Sequence, residues 1–244
     1  MLLSDILADI VVQLRPRLLS VNDPALRTSR LVASYRRYLA SADTLRFAQQ
    51  LSDAYTPSTL AKLLSLGGVE VRRAASLALG IIGDSTVVES LGRALSDSDR
   101  GVRLAADDAF RATLLRDAAP VHHQQLLQVM HLNDGGEFAA ALPPAMILTN
   151  QAPHYAEAQH QLAVCWEGVR NMHEAEAAYR GCLWLCRFHY PAWMGVARCR
   201  IDQNDLGTAL SALERATSIC PDLEAPRAQA RSIRRRLGLS ERQG

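Results

Sequence analysis

The sequence is poor in the residues that favour β-sheets. Only 5% of its 244 residues are aromatic, and Ala and Leu dominate the apolar set. Strands prefer β-branched and aromatic residues, whereas Ala and Leu favour helices. Alternation of apolar and polar residues with a period of two is not sustained anywhere. We therefore predict an all-α fold.

A strong charge of one sign and long hydrophobic runs are also missing. The 27 basic residues, of which only Lys62 is lysine, are balanced by 25 acidic residues. This balance gives no general field that attracts nucleic acid. No run approaches the roughly 18 apolar residues of a membrane span, and residues 1–9 lack the cationic segment of a signal peptide. We expect a cytoplasmic protein with neither a membrane nor a nucleic-acid partner.

Motifs that carry catalysis are absent as well. The sequence has no Gly-x-Ser-x-Gly, no glycine-rich phosphate loop and no pair of histidines arranged as in helical zinc proteases. His173 and His189 are predicted to lie in loops. We predict no catalytic residue, no cofactor and no enzymatic activity.

The cysteines recur with a fixed spacing, which relates Cys165 to Cys199 and Cys186 to Cys220. The segment Cys182-x3-Cys186-x2-His189 can be drawn as a metal site, but its spacing is atypical for zinc. Small buried residues that recur with a structural repeat explain every cysteine. We therefore predict core cysteines and no metal site.

Residues 57–116 contain an internal repeat, in which Val71 and Val102 occupy equivalent positions of two successive copies. Val71–Ala75 reads VRRAA and Val102–Ala106 reads VRLAA. The same offset relates four further apolar pairs, which are Leu60 and Leu91, Leu64 and Leu95, Ala78 and Ala109, and Leu79 and Phe110. Each copy has an apolar helix, a short polar turn and a second helix, and it resembles the short HEAT repeats shared with phycobilin lyases.

In related repeats, aspartate–arginine pairs link neighbouring units. The resemblance implies this structural role for Arg72 and Arg103, with Asp97 and Asp99 as partners. Before the repeat, amphipathic patterns predict helices over 2–14, 24–39 and 42–55, and Thr56-Pro57 is a helix-start signal. The helix over 2–14 serves either as a cap or as a dimerisation element.

The second half of the chain has a slightly longer repeat, in which Cys165 and Cys199 occupy equivalent positions. Trp193–Ala197, followed by Ala209, Leu213, Ala216 and Pro221, resembles the tetratricopeptide (TPR) pattern. The resemblance implies three helical hairpins at about 122–155, 156–189 and 190–223, with a cap helix over 224–238. We accordingly predict two domains, 1–118 and 119–244, in a right-handed α-α superhelical solenoid.

Two segments depart from the TPR pattern. Pro143-Pro144 lies inside the second helix of the first unit, where proline removes an amide and costs roughly 3 kcal/mol in a helix interior. We expect that helix to begin late or to kink. Arg187 replaces the terminal proline of the second unit, so we expect a longer or bent junction near residues 188–191.

In TPR proteins the first helix of each unit lines the concave face. Carried over to this sequence, that face is mostly apolar, with flexible methionines and a few polar groups, which suits a peptide. The candidate binding residues are His123, Leu126, Met130, His160, Val164, Glu167, Met194, Arg198 and Ile201.

The resemblances imply a protein-interaction scaffold that binds a protein or peptide and performs no chemistry. Two alternatives stay open. One is a phycobilin-lyase-like protein or its chaperone, by analogy with the short HEAT repeats. The other is an RNA-binding solenoid, because Arg227, Arg231 and Arg234 share one face of the cap helix.

Overall fold

The computed structural model describes residues 30–239, which form helices and turns without a strand. The chain divides into two compact units between Leu114 and Leu115. Consecutive helices pack as hairpins, so the predicted all-α class is confirmed. The predicted helix over 2–14 and the first residues of the one over 24–39 lie outside the described part. No helix within residues 30–239 is long and apolar enough to cross a membrane.

Local capping signals set the helix boundaries of the first unit. Asp43 accepts a hydrogen bond from the Arg46 amide at 3.0 Å, and Thr56 accepts one from the Thr59 amide at 3.2 Å. Pro57 occupies the first helical turn, where its missing amide needs no partner. The helices are α1 (Arg30–Ser41), α2 (Thr44–Ala54), α3 (Pro57–Leu66), α4 (Val69–Ile82), α5 (Val88–Ala94) and α6 (Arg100–Arg116, whose end belongs to the second unit).

The internal repeat of residues 57–116 forms the core of the first unit. All eight residues of the four related apolar pairs are at most 3% exposed. Small side chains bring α4 and α6 close together, since a Cβ added at Gly80 would lie 3.1 Å from the Cα of Ala109. The spacing of apolar residues in the sequence therefore predicted this core correctly.

Ion pairs tie α4 to the turn between α5 and α6. Arg72 donates two hydrogen bonds of 2.8 Å to Asp97, and Arg73 donates two, of 2.8 and 2.7 Å, to Asp99. Arg103 donates to the backbone carbonyl of Asp97 at 2.9 Å. Arg72 therefore has the linking role that the resemblance implied. The hydrogen bonds described for Arg103 go instead to backbone carbonyls of the turn before its own helix, and Asp99 pairs with Arg73.

The second unit repeats one hairpin three times. Its helices are α7 (Pro120–Asp134), α8 (Phe138–Gln151), α9 (Ala156–Gly168), α10 (Met172–Leu185), α11 (Tyr190–Asp202), α12 (Leu206–Ile219) and α13 (Glu224–Arg236). The turn inside each hairpin has a left-handed residue at the same position, namely Gly136, Arg170 and Asn204, with φ of 74°, 65° and 59°. Glycine adopts this conformation without strain, whereas arginine does so at a cost.

We expected α8 to begin late or to kink, and the junction before α11 to be longer or bent. Of these alternatives, the late start and the longer junction do not occur. Helix α8 begins at Phe138, in register with α10 and α12, and contains Pro143 and Pro144. The prolines remove the amides that would bond the carbonyls of Ala139 and Ala140, and these two alanines are exposed, so solvent has access to this turn of the helix. The turn before α11 is no longer than the turn before α9.

Candidate binding face and buried histidine cluster

The first helices of the three hairpins lie side by side, because α9 contacts both α7 and α11. We call the side of α7, α9 and α11 that carries the nine candidate binding residues the first-helix face. Among the nine, Arg198 is exposed and Leu126 and His123 are buried. The other six are half-buried, and they are Met130, His160, Val164, Glu167, Met194 and Ile201.

His123 is held by the backbone at the start of the second unit. Its Nδ1 lies 2.7 Å from the carbonyl oxygen of Leu115, which also accepts a hydrogen bond from the Tyr155 hydroxyl. Burial raises the pKa of Tyr155, so the hydroxyl stays protonated and donates. The structure therefore gives His123 a role in positioning α7.

Leu126 belongs to the core rather than to the surface. It is fully buried in a cluster with Leu148, Tyr155 and Ala158, against which Met130 packs. Leu126 contacts no solvent in this fold, so we leave it out of the binding surface. The TPR pattern locates the first helix, but it does not decide which side of α7 faces the core.

An ion pair joins two of the candidate residues across neighbouring first helices. Arg198 on α11 donates to Glu167 on α9 at 2.5 and 2.8 Å. The hydroxyl of Tyr179 donates to the same carboxylate at 2.6 Å and accepts from Arg198 at 3.1 Å. Burial would raise the pKa of Glu167, but these hydrogen bonds outweigh it and hold the pKa below the usual value. Glu167 is therefore ionised.

His160 belongs to a buried cluster with Glu157 and His189. Its Nδ1 lies 3.2 Å from Oε1 of Glu157, and Nε2 of His189 lies 3.1 Å from Oε2. His189 caps α11, since its Nδ1 accepts the Ala192 amide at 3.2 Å. Because Nδ1 accepts a hydrogen bond, Nε2 carries the ring hydrogen and donates a hydrogen bond to Glu157. Burial lowers the pKa of His189, which favours this neutral form.

The cluster continues as a hydrogen-bond network into the first hairpin. Gln161 donates to Oε1 of Glu157 at 2.9 Å, and Asn133 on α7 donates to the side-chain oxygen of Gln161 at 2.9 Å. Cys165 donates its thiol hydrogen to Asn133 at 3.1 Å. The network therefore links residues of all three hairpins through side chains that are mostly hidden from solvent.

Sequence reasoning missed Glu157 and placed His189 in a loop. His189 does lie in the turn before α11, but its exposed fraction is only 2%. One signal was available, because Glu157 and His160 form a Glu-x-x-His sequence that places both side chains on one face of α9. The five cysteines are all buried, as predicted. Within residues 30–239, Glu157, His160 and His189 form the group of side chains suited to hold a metal ion.

The cap helix does not present its three arginines equally. Arg234 donates to Glu214 on α12 and is half-buried, whereas Arg227 donates to the carbonyl of Pro221. Arg231 is exposed. Two of the three arginines considered for RNA binding thus have partners in the preceding hairpin.

No protein-family model and no curated protein matches the chain. Solved structures that it resembles are TPR proteins. One is YrrB, described as a TPR protein with an unusual peptide-binding site, which is 17% identical and covers 84% of this chain and 98% of its own, with a TM-score of 0.43. The TPR2AB domain of yeast Sti1 in its pHSP90 complex is 14% identical, over 92% of this chain and 83% of its own, with a TM-score of 0.42.

A third such structure is TTC0263 of Thermus thermophilus, described as a thermophilic TPR protein. It is 16% identical and covers 83% of this chain and 94% of its own, with a TM-score of 0.37. The resemblance of the first unit to HEAT repeats stays a prediction.

Proposed function

We propose that the chain is a non-enzymatic scaffold whose second unit binds a peptide on the first-helix face. The observation that carries the proposal is the contact of α9 with both α7 and α11. Because of it, accessible residues of three successive first helices lie on neighbouring elements, and Glu167 and Arg198 are in direct contact across two of these helices. A row of this kind suits a ligand that extends across several helices.

The side chains on this face define the kind of peptide. Val164, Met194 and Ile201 are apolar and half-buried, so they offer partial pockets without being core residues. Methionine adapts its shape to a ligand because its side chain is unbranched and flexible. Arg198 is exposed and already holds the Glu167 carboxylate. We infer a peptide with apolar side chains and a nearby acidic group that shares Arg198 with Glu167.

Selection of peptides from a random library against the full chain tests the proposal. The selected peptides are then measured by fluorescence polarisation against Met194→Glu and Arg198→Gln. We expect each variant to bind at least about tenfold more weakly, which corresponds to roughly 1.4 kcal/mol. Glutamine at position 198 retains a hydrogen-bond donor for Glu167, so the variant removes mainly the charge.

Ser211→Glu is the matched control, because Ser211 is exposed on α12, outside the first-helix face. It should bind the peptides as the parent chain does. Circular dichroism and melting temperature establish that each variant is folded. A library that yields no binding peptide, or peptides that bind Met194→Glu and Arg198→Gln unchanged, would refute the proposal.

A further inference from the structure

The cluster of Glu157, His160 and His189 has the composition and geometry of a three-ligand metal site. Glu157 and His160 occupy one face of α9, and His189 comes from the turn that begins the next hairpin. One ligand atom from each residue lies within 4.8 Å of the other two. Two imidazoles and a carboxylate are a common set for divalent transition metals.

The distances require little movement to accommodate an ion. Ligands bound to one zinc ion at about 2.0–2.2 Å lie roughly 3.3 Å from one another. The carboxylate already lies 3.2 Å from His160 and 3.1 Å from His189. The two rings are tilted by 42° to one another with their centroids 4.5 Å apart, so a rotation of each ring would bring their ligand nitrogens closer.

The protons of the cluster can also be rearranged without a net change. Nε2 of His189 now carries a hydrogen, and a metal would need the lone pair of that nitrogen. Nδ1 of His160 also donates to the carboxylate, and its hydrogen would move to Nε2 of the same ring, so no proton is lost. In His189 the hydrogen would move to Nδ1, which would end the hydrogen bond from the Ala192 amide. That amide retains a second acceptor, because it also donates to the backbone carbonyl of His189 at 3.0 Å. Gln161 continues to hold Glu157.

We propose that Glu157, His160 and His189 bind one Zn²⁺ ion. The ion takes the place of the two hydrogen bonds that now join the imidazoles to the carboxylate. Since the ligands come from α9 and from the turn before α11, the metal cross-links the second hairpin to the third. The proposal does not rest on peptide binding, although His160 also belongs to the first-helix face.

Titration calorimetry with Zn²⁺ on the full chain, first stripped with a chelator and kept reduced, tests this site. We expect one ion per chain and a rise in melting temperature with Zn²⁺ concentration. His160→Ala should weaken binding at least about 100-fold. His173→Ala is the matched control, since His173 is highly exposed on α10, and it should bind Zn²⁺ as the parent does.

Cobalt as a replacement ion separates this site from the buried thiols. Nitrogen and oxygen ligands give only weak visible bands, whereas a thiolate ligand adds an intense charge-transfer band in the near ultraviolet. The expected spectrum lacks the thiolate band. Glu157→Gln, which conserves size, provides a second variant if His160→Ala does not fold. Absence of binding at micromolar Zn²⁺, unchanged binding in His160→Ala or Glu157→Gln, or a thiolate band would overturn the proposal.

Discussion

Substitution of Gly195 by alanine should destabilise the second unit, although alanine is the better helix former. Gly195 lies on α11 against the ring of Tyr179, which is fully buried. A Cβ at position 195 would lie 2.3 Å from Cζ and 2.4 and 2.5 Å from the two Cε atoms of that ring. Non-bonded carbon atoms normally stay about 3.5–4.0 Å apart, so the ring must move by roughly 1 Å.

The size of the effect follows from three contributions. Overpacking of a core costs about 1–3 kcal/mol, and the fixed ring places this site near the upper value. Movement of the ring also weakens the hydrogen bond from Tyr179 to Glu167, worth about 1 kcal/mol. The higher helix propensity of alanine, compared with glycine, stabilises the variant by about 1 kcal/mol. We expect Gly195→Ala to lower the free energy of unfolding by about 3 kcal/mol, which is roughly 6–12 °C in melting temperature.

Urea denaturation followed by circular dichroism measures the effect, and Gly207→Ala is the matched control. Gly207 lies in α12 of the same hairpin, and the nearest atom to a Cβ there is an oxygen of Asp205 at 3.9 Å. We expect Gly207→Ala to leave stability unchanged or to raise it slightly. The comparison separates crowding from helix propensity, because the chemical change is the same.

A double-mutant cycle with Tyr179→Leu can refute the reasoning. In the Tyr179→Leu background the ring is gone, so Gly195→Ala should be neutral or stabilising. An equal loss of stability in both backgrounds would show that the ring is not the cause. If the Gly195→Ala and Gly207→Ala variants of the parent chain are equally stable, the packing described for α11 is contradicted.

Two further predictions concern the ion pairs and the core. A hydrogen bond from Arg73 lowers the pKa of Asp99, so the pair adds stability above about pH 4, and this is lost as the pH falls through the folded-state pKa. Asp99→Asn should therefore lower the urea midpoint at neutral pH, and this difference should shrink as the pH falls below about 4; a difference that does not change with pH would contradict this. Leu148→Ala should lower the free energy of unfolding by about 2–5 kcal/mol, because Leu148 is buried. Ile147→Ala, at a neighbouring exposed position, should change it by no more than about 0.5 kcal/mol. Similar losses in the two variants would show that the burial of these residues is misassigned.

The fold was largely predictable because helical hairpins are local structures. The offsets of the two repeats identify which apolar residues are equivalent, and equivalent residues such as Leu60 and Leu91 occupy the core. Of the late start or kink expected of the helix with Pro143 and Pro144, the late start does not occur. The cost of these prolines depends on whether the carbonyls they leave unpaired face water or protein, and a proline pair in a sequence does not contain that information.

The site was less predictable because its contacts join residues far apart in the chain. Glu167 and Arg198 were both selected as surface residues, but nothing in the sequence pairs them. His160 was selected for a peptide face, and the structure places it against Glu157 and His189. Leu126 was selected with them, although it is in the core.

The sequence alone determined the helical class, the two repeat lengths and most of the core. Burial of apolar side chains imposes a periodic pattern on every amphipathic helix, and that pattern can be read without coordinates. Only the tertiary structure decided which polar groups meet. The rotation of each helix about its axis, set by packing against its neighbours, brings Glu157 to His189 and Glu167 to Arg198, although each pair is far apart in the chain.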